Sequence, residues 1–455
     1  MQIIVRPGAD LRGEVSVPGD KSIAHRWLIL AATARGRSYL RGLPPALDVI
    51  STASSLAAVS GRARPALEVW ASKAGATVEG AGSTWNEHGL AEVSDLLEVE
   101  GEGRSGLRSS TADLDCGNSG TSMRLLAGIL AAAPFRSVLT GDPSLRTRPM
   151  ERVAAPLRSM GATVRTDDGH APLFIEGGAL RGVRYVMPVA SAQVKGAVLF
   201  AGLAAEGTTT VVEPAPVRDH TERALEALGA PILREDGVSV QAFQHDGFQG
   251  AVPGDPSSAA FLVAAAAITG SSVGIIGVGL NPTRLRFLDV MRRMGVQTEV
   301  TVEREELGEP VGSIRVQGGT DILPVRVEPQ EVALVIDEIP VLAAMAIHAR
   351  GDSWFLHAGE LRVKESDRLF GLAAGIRAMG GEAAEEGDDL VIAGGGLTGG
   401  EATSGGDHRM AMAFAVAALG ATGEVTIGGA EAADVSFPGF TQTMQAAGAP
   451  MELEP

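Results

Sequence analysis

Six stretches of the chain are apolar on nearly every face, and each follows a short polar start. They read SIAHRWLILAA, SGTSMRLLAGILAAA, SAQVKGAVLFAGLAA, SSAAFLVAAAAI, DEIPVLAAMAIHA and HRMAMAFAVAAL. A helix that is hydrophobic all round is a buried one, so the pattern predicts six alanine-rich helices inside the protein. Alternating runs such as TTTVVEP and SSVGIIGV lie between them and read as strands. A second series is interleaved with the first. Six times a helix-like stretch ends in a hydrophobic-Gly-small turn and continues as a strand, at Gly75, Gly161, Gly229, Gly295, Gly380 and Gly448. Glycine suits the left-handed turn that closes a helix.

Matching the first three of these glycines to the last three gives offsets of 220, 219 and 219 residues. The spacing therefore predicts two halves, each of three similar units mixing helix and strand, an α/β (α+β) fold in two domains. The halves share an entry phrase, Val17-Pro-Gly-Asp-Lys-Ser and Val252-Pro-Gly-Asp-Pro-Ser. Each Pro-Gly marks a turn or hinge. The crossings fall near 18–20 and 252–256, dividing the chain into 20–252 and 1–19 plus 253–455, with the N-terminal strand in the second domain. Residues 61–112, rich in Gly, Ser and Glu, read as a surface excursion.

Composition narrows the partners. A net charge of −17 argues against nucleic acid or an anionic membrane, which demand a basic face. No apolar run reaches the 18 or so residues of a membrane span, and MQIIVRPGAD lacks a basic-then-apolar signal pattern. One cysteine, Cys116, excludes a disulfide framework and a cysteine-rich metal site. A cytoplasmic protein is expected, with no metal and no cofactor. Anionic small molecules remain open if basic groups gather locally. Only four of the 38 basic residues are lysines, and three of them, Lys21, Lys195 and Lys364, sit inside distinctive motifs. Lysine retained in an arginine-rich chain points to places where a planar fork will not serve.

The starts of the buried helices carry the candidate chemistry, because helix N-termini attract anions. Gly19-Asp20-Lys21-Ser22 with Arg26 sets a lysine, a hydroxyl and an arginine around one start; the reading is a phosphate site or a plain N-cap. Asp115 to Arg124 is a glycine-rich helix entry that could cradle an anion, though it is no Walker loop. Arg148, Arg218, Arg284 and Arg368 lie where a helix dipole disfavours cations, which suggests bound carboxylate or phosphate oxygens, or else a solvated ion-pair face. Asp337 and the Lys364-Glu365 pair are acid–base candidates, and His408 is a further titratable group. Cys116 reads as a packing residue. If the helices pack in parallel, all these starts converge on one interdomain cleft.

Taken in order, PGDKSIAHR, LDCGNSGTSMRLLAG, RPMERVAAPLRSMGA, SAQVKGA, RDHTE, NPTR, IDEIPVLA, LRVKESDRL, GDHRMAMA and SFPGF resemble the 5-enolpyruvylshikimate-3-phosphate synthases, and the class II branch in particular. The resemblance implies two domains, each of three βαβαββ units around buried parallel helices. It implies an enzyme, a 3-phosphoshikimate 1-carboxyvinyltransferase of the shikimate pathway and a target of glyphosate, that acts as a monomer. Its substrates would be shikimate 3-phosphate and phosphoenolpyruvate, joined by addition and then elimination of phosphate through a tetrahedral intermediate. Carried over by residue, Lys21, Ser22, Arg26, Ser191, Ala192, Gln193, Arg218, Asp337 and Lys364 would hold shikimate 3-phosphate. Lys21, Gly120, Arg148, Gln193, Arg368 and Arg409 would hold phosphoenolpyruvate. Asp337 would take the hydroxyl proton, Glu365 would serve the vinyl carbon, and Lys21 would assist both. Val435 departs from many class I members, which carry a lysine there. Two alternatives stand beside this one. A UDP-N-acetylglucosamine enolpyruvyl transferase would have a cysteine in the loop Ser144 to Met150, and a non-catalytic anion binder would not be expected to keep Asp337, Glu365 and Lys21.

Overall fold

The computed structural model describes residues 1–78, 96–318 and 321–455. Its apolar residues form two separate cores. One runs from Ile23 to Val252. The other joins Ile3 to Val17 with Ala259 to Met451. Two lobes of mixed α/β structure result.

The six alanine-rich stretches form the helices Lys21–Thr33, Gly120–Ala131, Ala192–Gly202, Pro256–Thr269, Ile339–Ala346 and His408–Ala418. All six are buried along nearly their whole length. Small side chains allow close helix packing: Gly120–Ala131 lies along Ala192–Gly202 in one lobe, and the last three pack on one another in the other. Five of the six begin on a side chain that accepts a first-turn amide: Asp20, Ser119, Ser191, Asp255 and Asp407. A buried helix start needs such a partner, because water cannot supply one.

The sheets wrap these helices. In the second lobe three four-stranded sheets each combine one parallel pair with antiparallel ones. The strand Gln2–Val5 sits inside one of them, between Val425–Gly428 and Met451–Glu454. The strand Arg136–Thr140 in the first lobe is likewise parallel to Leu114–Asp115 and antiparallel to His170–Glu176. Gly161, Gly229, Gly295, Gly380 and Gly448 close amphipathic outer helices with φ between +81° and +110°.

Two expectations fail here. Gly75 closes nothing; it lies inside the helix Arg64–Val78. Residues 61–112 are also no mere surface excursion. Leu67 and Trp70 of that helix are buried, and so are Leu97 and Val99 of the strand Leu97–Glu102, which pairs with Arg35–Arg41. The Glu-rich composition hid a two-residue alternation, LEVEGE, whose apolar positions face inward. Residues 79–95 of the segment lie outside the described ones.

Outside the cleft, three of the joins between the lobes stand out. The two entry phrases run antiparallel: Asp20 N donates to Pro253 O (2.7 Å) and Asp255 N to Pro18 O (2.8 Å). Gly19 must be glycine, since a β-carbon there would stand 2.0 Å from the Gly42 carbonyl oxygen. Arg284 then clasps both entry aspartates, donating through Nη1 to Asp20 and through Nη2 to Asp255 (2.7 Å) and Ser257 Oγ (2.8 Å). Burial would lower its basicity, but Asp20, Asp255 and Glu338 more than offset that and raise it. His220 of the first lobe sits beside this clasp, 3.3 Å from Arg284 and 2.8 Å from Glu309 of the second. Last, the hairpin Gln297–Glu306/Glu309–Gln317 reaches over to the first lobe. Its tip, Leu307, packs on that core, and Gly308 O accepts from Arg223 (2.9 Å).

Arg284→Met would leave Asp20 and Asp255 buried without their shared cation. The loss should be about 3–5 kcal/mol, the scale for breaking a buried ion pair from one side. A urea titration at neutral pH reads it, and a loss under about 1 kcal/mol would show that the clasp is not what holds the crossing.

Candidate functional site

Between the lobes the starts of the buried helices face one another, and their charged groups interlock. From the first lobe come Lys21, in the first turn of its helix, Arg148, beyond the short helix Pro143–Arg146, and Arg218, just before the helix His220–Ala227. From the second come Asp337, Lys364, Glu365, Arg368, Asp407 and Arg409. Among the ion pairs that span the gap, Arg218 Nη2 is 2.6 Å from Asp337 Oδ2, and Arg148 Nη1 is 3.6 Å from Glu365 Oε1. Ser144 Oγ also donates to the Glu365 carbonyl (3.4 Å).

Asp337 is ringed by cations. Beyond Arg218 it has Lys364 Nζ at 3.5 Å and Arg368 Nη1 at 3.9 Å, and Arg409 donates to its carbonyl (2.6 Å). Burial pushes its carboxyl up, but Lys364, Arg218, Arg409 and Arg368 outweigh burial and hold it well below the usual carboxylate range. Glu365 follows the same logic. Burial raises it, and Arg368 (2.6 Å), Arg148 and Lys21 bring it well below the ordinary value. Both carboxylates are therefore ionised bases at neutral pH, and both are engaged by cations that an incoming anion would also attract.

The remaining predicted residues form a second group. Arg26 is fully buried and donates to Thr221 Oγ1 (2.7 Å), Ser22 O (2.7 Å) and Ala192 O (3.4 Å). It thus ties Ser22 and Ala192 to the residues that follow Arg218. Burial lowers its basicity to about 10. Ser191 Oγ caps its own helix by accepting from Val194 N (3.3 Å). Gln193 lies in the first turn of that helix, and its side chain makes no hydrogen bond to the cluster among the described residues. Gly120 opens its helix beside Arg148.

Some candidates fall away. Arg284, read as an anion ligand, is spent on the crossing. Lys195 is buried in the first lobe between Glu213 (2.7 Å) and Glu222 (2.6 Å). Burial, followed by the nearby Lys21, pushes His408 down to about 3, so it is neutral at physiological pH. Cys116, read as a packing residue, is buried as expected, and burial pushes its thiol up.

Other groups had no individual role in the sequence reading. Asp48 anchors Lys21 Nζ at 2.8 Å. Asp407 grips Arg368 through both oxygens (2.7 and 3.2 Å). Asn118 accepts from Arg148 and donates to Asp142 (2.7 Å). Asp407 and Asn118 sat in motifs already singled out at helix starts. Asp48, in the plain apolar run LDVI, had no signal of its own.

A pocket crowded with arginine and lysine from both lobes, with two ionised carboxylates among them, suits two anionic reactants and proton transfer between them. Comparison with known proteins agrees. A sequence model described as EPSP synthase (3-phosphoshikimate 1-carboxyvinyltransferase) matches residues 5–84 and 83–444. A protein of Acidithiobacillus ferrooxidans named 3-phosphoshikimate 1-carboxyvinyltransferase is 44% identical over 99% of this chain and 98% of its own length. One of the same name from Desulforamulus reducens is 43% identical over 98% and 99%. The solved structure of EPSP synthase from Acinetobacter baumannii superposes with a TM-score of 0.81 at 38% identity and covers all of both chains. The chain belongs to the EPSP synthase family.

Proposed function

We propose that the interlobe cleft binds shikimate 3-phosphate and phosphoenolpyruvate together and moves the enolpyruvyl group onto the 5-hydroxyl, releasing phosphate. One observation carries this reading. Asp337 and Glu365 come from one lobe and are paired to Arg218 and Arg148 of the other, so the bases meet the first lobe's anion ligands where the lobes meet.

In this reading Lys21, Ser22, Arg26, Ser191, Ala192, Gln193, Arg218 and Lys364 hold shikimate 3-phosphate. Lys21, Gly120, Arg148, Gln193, Arg368 and Arg409 hold phosphoenolpyruvate. Asp337 takes the proton of the attacking hydroxyl as its oxygen bonds to the central vinyl carbon. Glu365, ionised in the ligand-free cleft, takes up a proton as phosphoenolpyruvate draws Arg148 and Arg368 away from it, hands that proton to the methylene carbon, and recovers one from the same carbon as phosphate leaves, while the proton on Asp337 goes to the departing phosphate. Anions that draw Arg218, Lys364 and Arg368 toward themselves weaken their hold on Asp337, so binding makes the base more basic. Lys21, anchored by Asp48, supplies charge to both substrates. The chain works as a cytoplasmic monomer whose domains, 20–252 and 1–19 plus 253–455, turn about crossings near 18–20 and 252–256.

The direct test is phosphate release that requires both substrates. Release with phosphoenolpyruvate alone, or with UDP-N-acetylglucosamine in place of shikimate 3-phosphate, would overturn the reading.

Lys21→Met keeps the stem and removes the charge. Turnover should fall by at least ~100-fold, the scale of one well-placed transition-state donor. Unchanged turnover and Michaelis constants would remove Lys21 from the site.

Asp337→Asn keeps shape and hydrogen bonding but not basicity. Binding of shikimate 3-phosphate should survive while kcat falls by roughly 10²–10⁴, the span of general acid–base catalysis. Lost binding with kcat intact would make Asp337 a ligand rather than the base. The same variant reports on pH. The folded value of Asp337 is depressed, so its stabilisation is complete above the unfolded value of about 4 and is lost as pH falls through the lower folded value. The ligand-free wild type should lose urea resistance in that acid window, and Asp337→Asn should flatten the loss.

A further inference from the structure

We propose that Arg362 is a positioning residue: together with the acidic turn of the hairpin Glu382–Glu386/Asp389–Ala393 it brackets the segment that carries Lys364 and Glu365, and holds that segment while substrates come and go. The inference rests on the proposed roles of those two residues.

Arg362 is the one cation of LRVKESDRL that the proposed reaction leaves unused. It lies in the short 3₁₀ helix Gly359–Val363. The next residues, Lys364 to Ser366, belong to no helix or strand, and Asp367 then caps the helix Arg368–Ala378 by accepting from Phe370 N (3.0 Å). Backbone of this kind has no ladder of its own to fix where its side chains point, so its tethers decide.

The tethers are of two kinds. On the inner side Lys364 Nζ meets Asp337 (3.5 Å), the Glu365 carboxylate meets Arg368 and Arg148, and the Glu365 carbonyl accepts from Ser144. These are groups that substrates would draw away or that opening of the lobes would part. On the outer side Arg362 Nη1 donates to Asp367 Oδ2 (3.2 Å) and lies 2.7 Å from Glu385 Oε2. Its Nη2 donates to Gly387 O (2.8 Å), and its Nε to Asp388 Oδ1 (3.4 Å). The chain just upstream is bound to the same turn: His357 N donates to Asp389 Oδ1 (2.7 Å) and Ala358 N to Asp388 O (2.7 Å). One guanidinium thus ties both ends of the segment 363–366 to the hairpin. None of its partners is assigned to a substrate, so this hold persists when the inner ion pairs exchange. Ser366 Oγ adds a tether to Asp407 (3.1 Å).

A single exposed ion pair contributes little to stability. The arrangement here differs in kind, because several acceptors from three stretches of chain converge on one planar fork. Such a fork fixes direction as well as distance, which the point charge of a lysine does not. The expected effect of losing Arg362 is therefore on the placement of Lys364 and Glu365 rather than on folding.

Kinetics of Arg362→Met, Glu385→Gln and the double variant test this, each measured well below its melting temperature. In Arg362→Met kcat should fall roughly 10- to 100-fold, the scale for displacing a positioned reacting group by up to an ångström. The KM for shikimate 3-phosphate should rise about 5-fold through Lys364, while that for phosphoenolpyruvate, assigned to cations outside the segment, should stay within about two-fold. Among the described residues Glu385 has no partner in the cleft, so Glu385→Gln should give a weaker form of the same pattern through Arg362. The double variant should be no worse than Arg362→Met alone. An unchanged kcat in Arg362→Met would overturn the inference. So would a fall in kcat with both KM values unchanged, which reports only a smaller folded fraction, and so would multiplying losses in the double variant. If Arg362→Met does not fold, Arg362→Lys replaces it; its ammonium cannot span the acceptors, so the same pattern is expected in weaker form. Glu365→Gln separates the two levels of the argument. If it leaves kcat unchanged, the assignment of Glu365, and with it the reading of the cleft, is wrong. If it lowers kcat while Arg362→Met does not, only the role of Arg362 is wrong.

Discussion

Everything in the cleft hangs on a single guanidinium buried between two helix starts. Asp20 caps the first buried helix of one lobe, and Asp255 caps the first of the other. Arg284 holds both. Two amide-rich helix ends that close together would repel each other and any cation between them; the paired aspartates reverse that field and make room for the arginine. Lys21 is the residue after one of these caps. The ammonium assigned to both substrates is thus set, within one residue, by the same contact that joins the lobes. The hydrogen bonds of His220, Glu309, Asn281 and Asp219 extend this contact to Arg218, next to Asp219 in the chain.

The cleft resolves an apparent conflict in the sequence. A chain of net charge −17 can still hold anions locally, because Lys21, Arg148, Arg218, Lys364, Arg368 and Arg409 gather in the cleft although most of the other arginines lie on the surface. Those cations are not idle without ligand. They hold the enzyme's own carboxylates, and the strength of that hold is what depresses Asp337 and Glu365. In the proposed reading, substrate binding is an exchange of anions, with little net change in the number of ion pairs. Such an exchange avoids the large desolvation cost of burying unpaired charge.

Much of this was legible in the sequence. The six buried helices were, since alanine-rich runs without a polar face have one physical explanation. The two-lobe repeat followed from glycines at matched offsets, five of which do adopt the left-handed turn. Gly75 misled because the hydrophobic-Gly-small signal does not distinguish a helix end from a helix middle. The strand LEVEGE was hidden by its glutamates, although its alternation was present. Arg284 illustrates a harder limit. An arginine near a helix start binds an anion whether that anion is a ligand or the protein's own aspartate, and only the three-dimensional partner decides. Asp48 is of the same kind, set by which helices lie side by side.

The strand Gln2–Val5 is paired on both sides by strands more than four hundred residues later in the sequence, with Gln2 opposite both Gly428 and Glu454. During synthesis this segment emerges before its neighbours and cannot find them until more than four hundred residues have followed. The lobe it completes must therefore mature after the other, whose core is contained between Ile23 and Val252. A long wait of this kind carries a high loop-closure cost and leaves an unpaired apolar strand open to wrong partners. It also brings the two ends of the chain side by side. A short linker between them, with new ends cut elsewhere, would turn the most distant pairing in the molecule into a local hairpin.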